Sequence, residues 1–198
     1  CVGGSLRFAL PVAAGGAVVP QQDFFWNVGN AQSFLLGFPP QDLRFSGYTL
    51  TYHYLSELLA AGLSMATGAS CYDIEAALLP LAGILFTVAM LWDFGRILYN
   101  GSVKKTGLLL GLVFLCGGAG LWKVFEYGRC PFWNLSVYHV LTNINGMGFG
   151  LGLLAAFFAT GTVLFRREGA ARPAWLWALH ASAFVLLCFA KGPVAGVA

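Results

Sequence analysis

Four long apolar runs fill most of the chain after one polar segment. The runs cover residues 74–98, 106–122, 140–165 and 173–190. About 20 apolar residues cross a bilayer as a helix, so each run is read as a transmembrane helix. Within the first, 76–92 is uncharged, carries Pro80 and continues through 93–98. The second is rich in glycine. The third has Asn143 and Asn145 near its start, and the fourth holds His180. Trp92, Trp122, Trp175 and Trp177 stand near run ends, where an interfacial aromatic belt belongs. An earlier apolar stretch, 8–19, contains Pro11, Gly15 and Gly16 and is too short to span.

The polar segment, 20–57, reads PQQDFFWNVGNAQSFLLGFPPQDLRFSGYTLTYHYLSE. Its spacing predicts a short amphipathic helix over 24–36, with Phe24, Phe25, Val28, Gln32, Leu35 and Leu36 on one side. Asp23 is placed to cap it, and Gly37, Pro39 and Pro40 stop it. A second helix is predicted over 50–67, ending at Gly68.

Composition fits the pattern. The chain is 198 residues, 58% hydrophobic and only 10% charged, where a soluble domain carries about 25% charged residues. The predicted fold class is therefore all-α: a polytopic transmembrane helix bundle forming a single membrane domain, 1–198. Its first loop, 20–70, carries the short surface helices. The net charge of +3 includes no basic run, which excludes a nucleic-acid footprint. Membrane lipids are expected partners. The five cysteines show neither CxxC nor Cys/His spacing, so no zinc site is read from them. The chain starts at Cys1 without a signal-peptide pattern, and the expectation is a fragment of a longer polytopic protein.

Lys and Arg in short loops set orientation. One loop carries Arg96, Lys104 and Lys105, another Arg166, Arg167 and Arg172, and both are expected in the cytoplasm. The loop 20–70 is then extracytoplasmic if 50–67 lies flat on the membrane, and cytoplasmic if it crosses. His53 and Glu57, near the start of that helix, favour the flat arrangement.

The candidate chemistry collects in the same loop. Asp23 at a helix start is either an N-cap or a carboxylate held at the membrane boundary as a general base or cation ligand. His53 and Glu57 are four apart and share a helix face. They either hydrogen-bond locally or contribute with Asp23 to a substrate or metal site. Tyr52 and Tyr54 flank His53. Asp42 and Arg44 read as a solvated turn pair, with Arg44 also suited to holding a phosphate. Lys191, just past the last run, either snorkels or reaches a phosphate. His180, inside a run, is either functional or hydrogen-bonded to a neighbouring helix. The glycines of 146–152 suit close helix packing.

The order of an Asp after an apolar stretch, the "GFPPQD" turn, "SGYTLTYHYLSELLAAGLS" and "TGASCYD" before a long run resembles a known arrangement. It resembles the first extracytoplasmic loop of bacterial GT-C superfamily glycosyltransferases, related to protein mannosyltransferases and lipid A sugar transferases. The resemblance covers residues 20–98. It implies an essential acid soon after the first transmembrane helix, which Asp23 matches, and a surface helix, which 50–67 matches. It implies transfer of a sugar from a polyprenyl-phosphate-linked donor to a cell-envelope acceptor in the bacterial inner (plasma) membrane. Asp23 would be the catalytic acid/base, and Arg44, Tyr52, His53, Glu57 and Lys191 substrate-binding. The chain has no adjacent acidic pair at Asp23, so the metal ligands stay unassigned, with a divalent cation as the cofactor to test. The rival readings are a multi-pass transporter using His180, Asn143 and Asn145, and a non-catalytic cell-envelope scaffold.

Overall fold

The computed structural model describes residues 22–43, 45, 47–51, 54–115, 147–166 and 173–190, with the backbone alone at 22, 23, 114, 115, 147 and 148. Among the described residues the chain is all-helical, apart from an isolated antiparallel bridge between Gln41 and Thr49. The helices are α1 (Gln22–Leu36), α2 (Leu55–Thr67), α3 (Cys71–Leu98), α4 (Val103–Leu115), α5 (Met147–Arg166) and α6 (Ala174–Ala190).

Local chemistry sets the boundaries. α1 stops before Gly37, Pro39 and Pro40, since proline has no N–H to continue a helix. The connection then folds on itself. Ser33 Oγ donates to the Gln41 carbonyl at 2.9 Å and accepts from the Gln41 N–H at 3.0 Å. The Leu50 N–H donates to the Pro40 carbonyl at 2.9 Å. Residues 50, 51 and 54 are not helical, and α2 begins at Leu55 rather than at 50. Gly68, at φ 74°, ends α2, and its N–H donates to the Ser64 carbonyl at 2.8 Å. Two residues later Ser70 caps α3, accepting from the Asp73 N–H at 3.1 Å.

α3 is α-helical over Cys71–Asp73, a π-turn over Ile74–Leu78, and α-helical again over Leu79–Leu98. The single proline of this helix, Pro80, lies two residues after the π segment.

α5 is the central helix of the bundle, packed between α3 and α6. Ring pairs Phe86–Phe149 and Phe94–Phe158 show that α3 and α5 run parallel. α6 runs antiparallel to α5, because its His180 meets Phe157 while its later Leu187 clusters with Leu153. Gly152 lets α5 approach α3: a Cβ there would stand 2.5 Å from Phe86 Cδ1 and 3.2 Å from the Thr87 Cα. At the far end Arg166 donates to the Ile97 and Leu98 carbonyls at 2.8 and 3.2 Å, tying the C-termini of α3 and α5 together.

α1 and α2 pack on each other and on the start of α3, at the opposite end. α1 is turned differently from the sequence pattern. Phe24, Val28 and Ala31 are buried, but so are Asn27, Asn30 and Ser33, while Phe25, Leu35 and Leu36 point outward. α6 likewise exposes Trp175, Trp177, Leu179, Phe184, Val185, Leu186 and Phe189.

Two helices, Cys71–Leu98 and Phe149–Arg166, are long and apolar enough to cross a membrane. α6 is apolar but has 17 residues, about 26 Å of helix against a hydrocarbon core of about 30 Å. α4 is described for 13 residues, and the rest of the expected run 106–122 lies outside the described residues. The third expected run, 140–165, is helical from Met147, and Asn143 and Asn145 lie outside the described residues.

Candidate polar site beneath the first two helices

The described acids and bases separate along the bundle. Arg96, Lys104, Lys105 and Arg166 gather where α3 ends, α4 begins and α5 ends. Asp42, Glu57, Asp73 and Glu75 lie at the other end, with α1, α2 and the start of α3. Asp93 is the one described acid near the basic end. The acidic end is also where polar side chains are buried.

Asp23 is the second residue of α1. It stands inside the first turn, where the unpaired backbone N–H groups of a helix favour a negative charge. Its side chain, and the residues Arg44, Tyr52, His53 and Lys191, lie outside the described residues. Of the site residues expected from sequence, Glu57 is fully described. It is 1% exposed, and Ser56 Oγ donates to its Oε2 at 2.8 Å. That burial takes Glu57 off the surface and makes it part of the protein's interior.

A second acid, Glu75, joins it there. Glu75 is 0% exposed and lies within electrostatic range of Glu57. The π-turn puts it inside. Ile74, Glu75 and Ala76 are all buried, three consecutive residues that would spread over more than half the circumference of a regular α-helix. The widened turn lets the helix present all three to α1 and α2 together.

α1, which packs on the same two elements, also buries polar groups. Asn27 lies among Phe24, Val28 and Ala31, and these three share one core cluster with Ala60 of α2 and with Ile74 and Ala76 of α3. Asn30 follows Asn27 by three residues and is fully buried. Among the described residues, the carboxamides of Asn27 and Asn30 and both oxygens of Glu75 have no hydrogen-bond partner. Sequence reasoning passed over all three. The available signal was the spacing of the two asparagines on a helix with outward-facing Phe25 and Leu36, and an acid directly before an uncharged run.

His180 belongs to a different place. Its ring stacks on Phe157 at 4.2 Å, and its Nδ1 lies 2.9 Å from Thr160 Oγ1. The Thr160 hydroxyl is also 2.9 Å from the Ala156 carbonyl, so if it donates there the ring donates to it. This matches the expectation of a histidine bonded to a neighbouring helix. Cys71 and Cys188 are free thiols. Among the described residues, no three His, Cys, Asp or Glu side chains cluster as a metal site.

Compared with protein-family models, with curated proteins and with solved structures, the chain gives no match.

Proposed function

We propose that the chain is part of a polytopic membrane glycosyltransferase of the GT-C type. It transfers a sugar from a polyprenyl-phosphate-linked donor to a cell-envelope acceptor at the outer face of the bacterial plasma membrane. The observation that carries the reading is the layer made by α1 and α2. It packs at the acidic end of the bundle, remote from Arg96, Lys104, Lys105 and Arg166, with Asp23 in the first turn of α1.

Three further facts support it. Basic loops stay in the cytoplasm, which leaves the α1–α2 layer outside. α2 has 13 residues, about 20 Å of helix, too short to cross and suited to lying along the surface. α1 turns Asn27, Asn30 and Ser33 inward and Phe25, Leu35 and Leu36 outward, the arrangement of a helix whose outer side meets acyl chains rather than water.

In this reading Asp23 takes the proton from the acceptor hydroxyl as that oxygen bonds to the anomeric carbon. The bond to the carrier phosphate breaks, and the phosphate leaves with the electron pair. Arg44 and Lys191 neutralise it, and Tyr52 and His53 contact the substrate. Glu57 contributes from beneath, through the packing of α2. In the full-length protein Asp23→Asn should lower sugar transfer about a hundredfold or more, the usual scale for a lost general base, at unchanged membrane insertion. Wild-type transfer by that variant, measured with a radiolabelled lipid-linked donor, removes Asp23 from the mechanism and the reading with it.

A further inference from the structure

The interior beneath α1 and α2 holds polar groups that the described residues leave unanswered. Glu75 is 0% exposed, Asn30 0% and Asn27 1%, and among the described residues neither the carboxylate nor either carboxamide has a hydrogen-bond partner. A buried polar group without a partner costs about 1–3 kcal/mol, and a charged one more. Such groups are ordinarily satisfied by protein, water or an ion. Here they gather where three elements meet. Asn27 is on the α1 stripe with Phe24, Val28 and Ala31. That stripe packs against Ala60, three residues after Glu57, and against Ile74 and Ala76, the neighbours of Glu75. Asn30 continues the polar side of α1 by three residues, and Ser56 hydrogen-bonds Glu57.

From this convergence we infer that Glu57, Glu75 and the carboxamide oxygens of Asn27 and Asn30 bind one hard divalent cation of the calcium class, which braces α1 and α2 on the start of α3. Two carboxylates balance the charge of a divalent ion. The amide oxygens are neutral hard donors of the kind calcium accepts among its six to eight oxygen ligands. Calcium also tolerates irregular geometry. Magnesium ordinarily keeps several waters, which suits a site closed to solvent less well. The proposed donors are all carboxylate or amide oxygens, the hard ligands that calcium prefers over the nitrogen and sulfur ligands typical of zinc. The inference does not depend on the transferase reading, because it uses neither Asp23 nor any substrate.

The test is calcium binding by the full chain, purified in detergent and stripped with chelator. Titration with calcium chloride should show one ion per chain with a dissociation constant below about 1 mM, inside the range of protein calcium sites. The melting temperature should rise with calcium concentration. Glu75→Gln, which keeps size and shape, should weaken binding at least about tenfold, and Asn27→Ser should weaken it as well. Asp23→Asn should bind calcium like the wild type while losing sugar transfer, which separates this inference from the transferase reading. Wild-type protein that binds no calcium at about 1 mM overturns the site without recourse to any variant. Undiminished binding by Glu75→Gln overturns the ligand assignment, and tighter binding of magnesium than of calcium in parallel titrations overturns the calcium class.

Discussion

Gly152 shows how little room single residues have where α5 meets α3. A methyl group there would meet the Phe86 ring at 2.5–2.6 Å and the Thr87 backbone at 3.2 Å. The ring can turn aside, but the backbone moves only with the helix. Gly152→Ala should therefore destabilise the protein by about 1–3 kcal/mol, the range for overpacking, seen as a lower melting temperature in detergent. Phe86→Leu should recover part of that loss in the double variant, because it removes the closer of the two clashes. Glu75 illustrates the opposite problem, polarity without enough partners. In sequence it is one acid at the edge of a greasy run. In the structure it is fully buried in a π-turn, and among the described residues its carboxyl oxygens have no partner. A register change of one residue within a helix has no compositional signature, so no pattern of apolar positions foretells it.

Among the elements, the helices themselves were legible and their facing was not. The expected helices over 24–36 and 50–67 correspond to α1 and α2. α1 starts two residues earlier, and α2 starts five residues later because the Leu50 N–H is committed to Pro40 across the turn. The sequence pattern put Phe24, Phe25, Val28, Gln32, Leu35 and Leu36 on one side of α1, whereas the structure buries Phe24 and Val28 and exposes the other four. Periodicity identifies an apolar face but cannot tell whether that face seeks the protein core or a lipid surface. The stop of α2 follows directly from Gly68. At φ 74° it is left-handed, and nothing lies within 4 Å of a Cβ placed there, so a side chain would meet strain in the backbone alone. Gly68→Ala should cost about 1 kcal/mol, and Gly68→Asn should cost less because Asn tolerates this conformation. Thermal unfolding of the two variants side by side checks the ranking.

For the whole molecule the decisive property is polarity from end to end. The described cations stand at one end and four of the described acids at the other, with α1 and α2 on the acidic side. In a cysteine-free background, Met65→Cys on the exposed side of α2 should react with a membrane-impermeant maleimide in cells whose plasma membrane is intact and reachable from outside. Lys104→Cys should react only after the membrane is opened. The reverse pattern would turn the molecule over and put Asp23 in the cytoplasm, where the proposed donor and acceptor are not met.

The sequence by itself determined the helical class, the order of the helices, the places where Gly68 and the prolines interrupt them, and the basic loops at one end. These depend on spacing and on single-residue backbone preferences, which are local and therefore written in the chain. Only the tertiary structure decided that Glu57, Glu75, Asn27 and Asn30 are all interior. Those facts arise where three elements converge, and which side chains are left without partners depends on the angle and rotation of each helix against the others.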